Sequence, residues 1–270
     1  MIAQKEFGYN RKIFNRLREL ANNWSGITVT DEKYDMYYAR LTKRLRFHRL
    51  NDFKDYLSMV EKDAQEFKEF INCITTNVTS FGREQHHFDY LKQHLASLSV
   101  SEFNIWSAGC SSGEEPYSIV LNLMPVCEQK HIKLHITATD LDTRVLQTGA
   151  DGIYPLKAIE NYDLAVKKKF FRKGKGVNLN KCRVKERYRN LIDFQQLNLM
   201  DEWQLNRKYD VIFCRNVLIY FDFPKKQRLA QKYWEHLTPG GHLFLGHSET
   251  LHKINDDFDS VGKTIYRKRG

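Results

Sequence analysis

The sequence predicts an α/β fold: a doubly wound, mainly parallel sheet, preceded by a small all-helical domain and interrupted by a short antiparallel insertion. Three observations predict it. Residues 104–118, NIWSAGCSSGEEPYS, read as a short apolar strand, a turn of small residues and a helix entered at Glu114-Glu115-Pro116. Pro116 suits a first helical turn, because the N–H it lacks would be unpaired there anyway. From Phe88 onward, strand-like and helix-like segments alternate, as they do in wound sheets. Residues 1–75, by contrast, carry helical spacing only.

In that first part Phe14, Leu17, Leu20 and Ala21 recur on one helical side, and Asp31 is placed as the N-cap of a second helix bearing Tyr37, Leu41 and Leu45. Another side of this helix carries Arg40, Lys43 and Arg44. From Arg40 to Arg49 there are five Lys or Arg and no acid, which fits either a solvated face or a docking surface for an acidic partner. Third and fourth helices follow through Phe53, Tyr56, Leu57 and Val60, and through Phe67, Phe70 and Ile74. The stretch TTNVTSFGREQHHF is polar and without period, so 76–88 is read as a linker. Its Asn77, Thr79 and Arg83 suit turns and caps, or the functional groups of a loop beside a site.

A strand, a glycine turn and a helix N-terminus in that order let a backbone press close against a ligand. Carboxylates at Glu114 and Glu115 repel phosphate there and suit hydroxyls, an ammonium or a sulfonium. An adenosyl-type cofactor fits better than a dinucleotide. An ordinary strand-to-helix turn is the plainer alternative. After a helix over 116–124, a second strand, 134–139, ends at Asp140, where a carboxylate holds ribose hydroxyls in such sheets or else caps the helix that starts near Asp142.

Residues 154–198 break the rhythm. Short strands at 182–185 and 191–194, with a turn at Arg189-Asn190, predict a small antiparallel insertion. The sheet resumes with 209–214, whose carboxyl end leads into Arg215-Asn216-Val217-Leu218-Ile219-Tyr220. A helix over 225–237, a Pro239-Gly240-Gly241 turn, a strand over 242–246 and a last strand near Ile265-Tyr266 complete the domain, 89–270.

Composition limits the function classes. With 270 residues and no run of about 18 apolar ones, the chain can bury a full core and no spanning helix is expected. Its start lacks a secretory apolar region, and its five cysteines are odd in number and scattered, favouring a reducing cytoplasm over disulfides or zinc. No metal site is expected. A net charge of +10 implies an acidic partner without choosing among nucleic acid, anionic lipid and protein.

Methyl transfer from a sulfonium is an in-line displacement that needs alignment and exclusion of water. Amine-directed enzymes commonly place an Asn/Asp-Pro-Pro-Tyr run after the fourth strand, where this chain has Cys214-Arg215-Asn216-Val217. A carboxylate acceptor needs only a cation and shape. Arg83, Arg215 and Tyr220 suit that role, or those of salt-bridge partners and a core aromatic.

The motifs TTNVTSFGREQHHF, WSAGCSSGEEPYS, ATDLD, FCRNVLIYF and LTPGGHLFLGHSE resemble, in order, those of the chemotaxis receptor methyltransferases, the CheR family. The resemblance spans nearly the whole chain and implies a Rossmann-like S-adenosyl-L-methionine-dependent methyltransferase sheet. It further implies a protein-glutamate O-methyltransferase acting on the cytoplasmic helical region of chemoreceptors, with S-adenosyl-L-homocysteine as by-product. The cofactor contacts it implies are Asn77, Thr79, Arg83, Glu115, Asp140, Asn198, Leu199, Arg215 and Asn216, with Arg83 and Tyr220 beside the transferred methyl. Arg40, Lys43 and Arg44 would meet acidic receptor helices, and the insertion would meet a receptor C-terminal peptide. A cytoplasmic monomer is expected, with neither nucleic-acid binding nor membrane insertion. The chain departs from the family at Gly82, where an aromatic is usual, and near Asn180, where a glycine is usual. A catalytically silent adaptor and a nucleic-acid methyltransferase are the competing classes. The joint presence of Arg83, Glu115, Asp140 and Tyr220 weighs against the first, and the missing Pro-Pro-Tyr run against the second.

Overall fold

The computed structural model describes residues 5–270, which form two compact units. One comprises the chain up to Thr76 together with Tyr220–Asp222, the other Asn77–Ile219 with Phe223–Gly270.

The first unit is helical. Helix α1 (Arg11–Ser25) starts at Asn10, whose side chain accepts the Ile13 N–H at 3.0 Å, and stops at Gly26 in the left-handed region. Helices α2 (Tyr34–His48), α3 (Phe53–Lys62) and α4 (Ala64–Ile74) follow, with Asp52 and Asp63 capping the last two. Their apolar stripes meet in a core that includes Phe14, Leu17, Tyr37, Leu41, Phe53, Tyr56 and Phe70. Asp31 does not cap α2. It opens a 3₁₀ turn, Asp31–Lys33, ahead of the helix, because its carboxylate is taken by Arg18 at 2.6 Å and Arg11 at 3.6 Å.

In the second unit, seven strands run in the order β6-β2-β1-β7-β8-β10-β9: β1 (Glu102–Ala108), β2 (Lys133–Asp140), β6 (Ile192–Gln196), β7 (Tyr209–Cys214), β8 (Leu237–Leu245), β9 (Phe258–Gly262) and β10 (Ile265–Lys268). The first five in space are parallel, and β10 runs antiparallel to both β8 and β9. The strand order reverses between β1 and β7, and the region outside their carboxyl ends is where sheets of this kind bind ligands. Helices α5 (Gln85–Ser97) and α6 (Glu114–Lys130) bring Phe88 and Tyr117 into one core layer, where Phe88, Phe213 and Phe244 stack. Trp106 packs against Trp203, Tyr209 and Tyr233, and its indole N–H reaches Thr139 Oγ1 at 2.9 Å. Helices α7 (Thr143–Asp151) and α10 (Phe223–His236) complete the winding.

A three-stranded antiparallel sheet, β3 (Ile153–Pro155), β5 (Lys181–Val184) and β4 (Phe171–Lys173) in spatial order, forms the insertion with the short helices α8 (Leu164–Phe170) and α9 (Glu186–Arg189). Three expectations need correction. The 191–194 segment belongs to β6, an edge strand of the main sheet, parallel to β2 from Ile136↔Ile192 to Asp140↔Gln196. Its alternation suits either sheet, and the partner is decided by α9, which turns the chain where a hairpin was expected. Pro239-Gly240-Gly241 is no free turn but a bulge within β8: Tyr209 pairs with Leu237 and Val211 with His242, with Gly240 at φ 73°. Helix α6 runs past Pro125 because Val126 and Cys127 continue its buried face. Among the described residues no helix is long and apolar enough to cross a membrane.

Candidate active site

The turn after β1 is built for close approach. Gly109 and Gly113 lie at φ 83° and 92°, and an added Cβ would meet Val217 Cγ2 at 2.5 Å and Gly149 Cα at 2.9 Å respectively. Ser111 holds φ 50° without being glycine because both its polar groups are engaged. Its N–H donates to Asp140 Oδ2 at 2.8 Å and its hydroxyl to the Asn77 carbonyl at 3.0 Å.

Asp140 ends β2 and also accepts the Asp142 N–H at 3.0 Å. Burial pushes its carboxyl above the ordinary value against these bonds. Each oxygen thus carries one backbone donor and keeps further acceptor capacity. Asp142, fully buried, caps α7 and takes the Asn77 side-chain amide at 2.8 Å, fixing the 77–84 loop to the sheet edge. The Leu197 N–H donates to the Asp140 carbonyl at 3.0 Å, which brings Asn198 alongside. The Asn198 side chain accepts the Met200 N–H at 3.1 Å, and the Leu199 carbonyl accepts the Trp203 indole at 3.3 Å.

Arg215, at the carboxyl end of β7, is the hub. Its side chain is 2% exposed, lies 3.4 Å from both Glu84 Oε2 and Glu115 Oε2, and donates to the Arg83 carbonyl. Glu115 further accepts the Ser107 hydroxyl at 2.7 Å, and burial holds its carboxyl, like that of Glu114, above the ordinary range. One guanidinium therefore faces two acids, and its geometry commits it to the loop and the helix end. Arg83 donates to the Val78 carbonyl at 3.1 Å, closing the loop that carries Thr79, and its charge reaches Glu115.

Asn216 lies at φ 60°, its N–H donating to Glu249 Oε2 at 2.8 Å, while its side-chain Oδ1 is buried without a hydrogen-bond partner. Glu249, which sequence reasoning did not single out, also accepts the N–H groups of Gly246 at 2.6 Å and Ile219 at 3.2 Å. Glu84 was likewise missed, although it directly follows Arg83. It accepts the His247 N–H at 3.2 Å and sits 3.4 Å from His87. Burial drops the His87 imidazole to about 4, so it is neutral at physiological pH. Neither glutamate shows a spacing signal, since the partners that tie it to other elements, Arg215 and His247 for Glu84 and Asn216 and Ile219 for Glu249, are remote in sequence.

The remaining candidates belong to the helical unit. Tyr220 ends a 3₁₀ turn, Leu218–Tyr220, and its carbonyl accepts the Thr28 N–H at 2.7 Å. On α2, Arg40 donates to the Ile74 and Thr75 carbonyls at 3.0 and 2.6 Å, finishing the C-terminus of α4. Arg44 pairs with buried Glu66, which also takes His48 at 2.7 Å and the Tyr56 hydroxyl at 2.9 Å. Burial opposes ionisation of Glu66, but these partners outweigh it and hold the carboxyl below its ordinary value. Lys43 is exposed.

A positively charged donor carrying ribose hydroxyls fits these residues. Acceptor capacity remains on Asp140, Asn216 Oδ1 is an unused buried acceptor, and Glu84 and Glu115 together outnumber Arg215. Among the described residues no group of three or more His, Cys, Asp and Glu is arranged to hold a metal.

Comparison with known proteins agrees with this crevice. Residues 77–267 match the family model described as CheR methyltransferase, SAM binding domain, and residues 12–75 the model described as CheR methyltransferase, all-alpha domain. Chemotaxis protein methyltransferase 2 of Pseudomonas aeruginosa is 39% identical over 270 residues, covering 98% of this chain and 96% of the relative. The chemotaxis protein methyltransferase of Klebsiella aerogenes is 39% identical over 256 residues (94% and 88%), and that of Escherichia coli 38% over 256 residues (94% and 89%). With its crevice, its helical first unit and these near full-length matches, the chain belongs to the CheR methyltransferase family and binds S-adenosyl-L-methionine in its α/β domain.

Proposed function

We propose that the protein methylates glutamate side chains on the cytoplasmic helical region of chemoreceptors, forming glutamate methyl esters and S-adenosyl-L-homocysteine. The observation that carries this is the acid-rich crevice, with Glu84 and Glu115 against one Arg215 and Asp140 close by, in a chain whose near full-length relatives are named chemotaxis methyltransferases. Excess negative charge favours a cationic donor.

Bound S-adenosyl-L-methionine supplies a methyl group on a sulfonium sulfur, open to in-line displacement. A glutamate acceptor is already an anion at neutral pH, so it needs alignment and not a base. Asp140 holds ribose hydroxyls on the positions its two backbone bonds leave, and Asn216 Oδ1 takes a donor group. Asn77, Thr79, Glu115, Asn198, Leu199 and Arg215 complete the cradle, with Arg215 acting as a positioning residue. Arg83 and Tyr220, assigned by family resemblance, orient the incoming carboxylate and exclude water.

Residues 1–75 serve as the receptor-facing helical domain, 76–88 as a linker that adds to the cofactor site, and 89–270 as the methyltransferase domain of a cytoplasmic monomer. Since Arg40 and Arg44 are committed to α4 and Glu66, contact with an acidic receptor helix falls mainly to Lys43. The test is incubation with receptor-containing membranes and a labelled methyl donor. Base-labile label on the receptor is expected. No transfer, or label that survives mild base, overturns the proposal.

A further inference from the structure

The net charge of the chain is concentrated in one place. Residues 164–189 hold eleven Lys or Arg and one acid, a net +10, so the rest of the chain sums to zero. Elsewhere the arginines commonly face carboxylates, as Arg16, Arg18, Arg44 and Arg46 do. In this segment, among the described residues, only Lys169 has an acid within ion-pair distance, Glu128 at 2.8 Å. Several of the others donate to carbonyls instead, as Lys167 does to Glu160 and Lys185 to Lys168.

The insertion sheet sorts these charges. Along β5, Cys182 and Val184 are buried while Lys181 and Arg183 point outward. Arg172 of β4 lies directly opposite Arg183 on the same outer face. Two like charges in cross-strand register destabilise an isolated sheet, and among the described residues no acid lies within ion-pair distance of either. The β4–β5 connection, closed by the Gly174 N–H on the Lys181 carbonyl at 2.9 Å, carries two apolar side chains at its tip. Val177 is 101% exposed and Leu179 58% exposed, with Lys173, Lys175 and Lys181 around them.

We propose that this hairpin is a peripheral docking site for an anionic phospholipid surface, its lysines and arginines facing the headgroups and Val177 and Leu179 entering the interface. Cationic side chains near such a surface act additively, and an apolar tip adds burial that a purely electrostatic partner does not use. Nucleic acid would leave Val177 and Leu179 without a role, and the aromatics on the insertion's strands and helices, Tyr154, Phe170, Phe171 and Tyr188, are buried and cannot stack on bases. A peptide added along the edge strand β4 would be held by backbone hydrogen bonds and would leave the apolar tip unused.

The test uses the full chain with neither receptor nor cofactor, so its outcome is separate from that of the methylation proposal. Sedimentation with vesicles of equal phosphatidylglycerol and phosphatidylcholine is compared with phosphatidylcholine alone. Binding to the anionic vesicles only is expected, weakening with salt. The triple variant K173Q/K175Q/K181Q should bind about a hundredfold more weakly at low salt. The charge-neutral V177S/L179S should bind about tenfold more weakly with an unchanged melting temperature. Equal partition onto both vesicle types, or full binding by the triple variant, overturns the proposal. So does tighter capture by duplex DNA or polyglutamate with the serine variant unaffected.

Discussion

Arg215 Nη1 lies 3.4 Å from Glu115 Oε2, joining the end of β7 to the start of α6 across the point where the sheet reverses its order. Both side chains are removed from bulk water, and Glu84 crowds the same guanidinium from the loop side. The trio carries one more negative than positive charge when all are ionised, an excess that favours a cation nearby.

Removing the hub should therefore cost stability as well as binding. Arg215→Met leaves Glu84 and Glu115 facing each other without compensation, a loss of about 3–5 kcal/mol for a broken buried pair. Urea denaturation is expected to show that loss, and Arg215→Lys a smaller one.

Asp140→Ala should weaken S-adenosyl-L-homocysteine binding by about 1–3 kcal/mol, the cost of losing a charge-assisted hydrogen bond. It also releases the Ser111 and Asp142 N–H groups, so calorimetry is best paired with a melting curve. Unchanged affinity would remove Asp140 from the ribose site.

Two pH responses with different causes are expected. Burial raises Asp140 and Glu115, so cofactor affinity should fall as acidification protonates them. Burial lowers His87 and His242 from 6.5 to about 4. A base with a depressed folded value contributes stability that is full above pH 6.5 and lost as pH falls toward about 4. Melting temperature should decline across that window, and less steeply in a double His→Gln variant.

On α2, Lys43→Glu should lower receptor methylation without altering cofactor affinity or melting. Arg44→Ala should instead destabilise the helical unit by about 3–5 kcal/mol, because Glu66 is left buried without its main cation. Equal methylation by Lys43→Glu would exclude that residue from docking.

Much of the architecture is readable from local pattern. The Gly109–Gly113 turn and the strand ending at Asp140 announce themselves because the conformation each needs is encoded in neighbouring residues. What was not readable depends on partners remote in the chain. Arg215 meets Glu84 and Glu115 only once the sheet forms, and β6 joins β2 because α9 redirects it, although its own residues suit either sheet. The basic face of α2 misleads in the same way, since Arg40 and Arg44 look solvent-facing by spacing while α4 supplies their acceptors. Strand β9 escaped notice because its alternation is weak and polar.

Glu249 takes N–H groups from Asn216 and Ile219 on one side and from Gly246 on the other, so a single side chain clasps the exits of two adjacent strands. Remodelling either loop, to admit a bulkier acceptor for instance, drags its neighbour along, and a designer seeking to widen this rim would have to rebuild both at once or replace the clasp first.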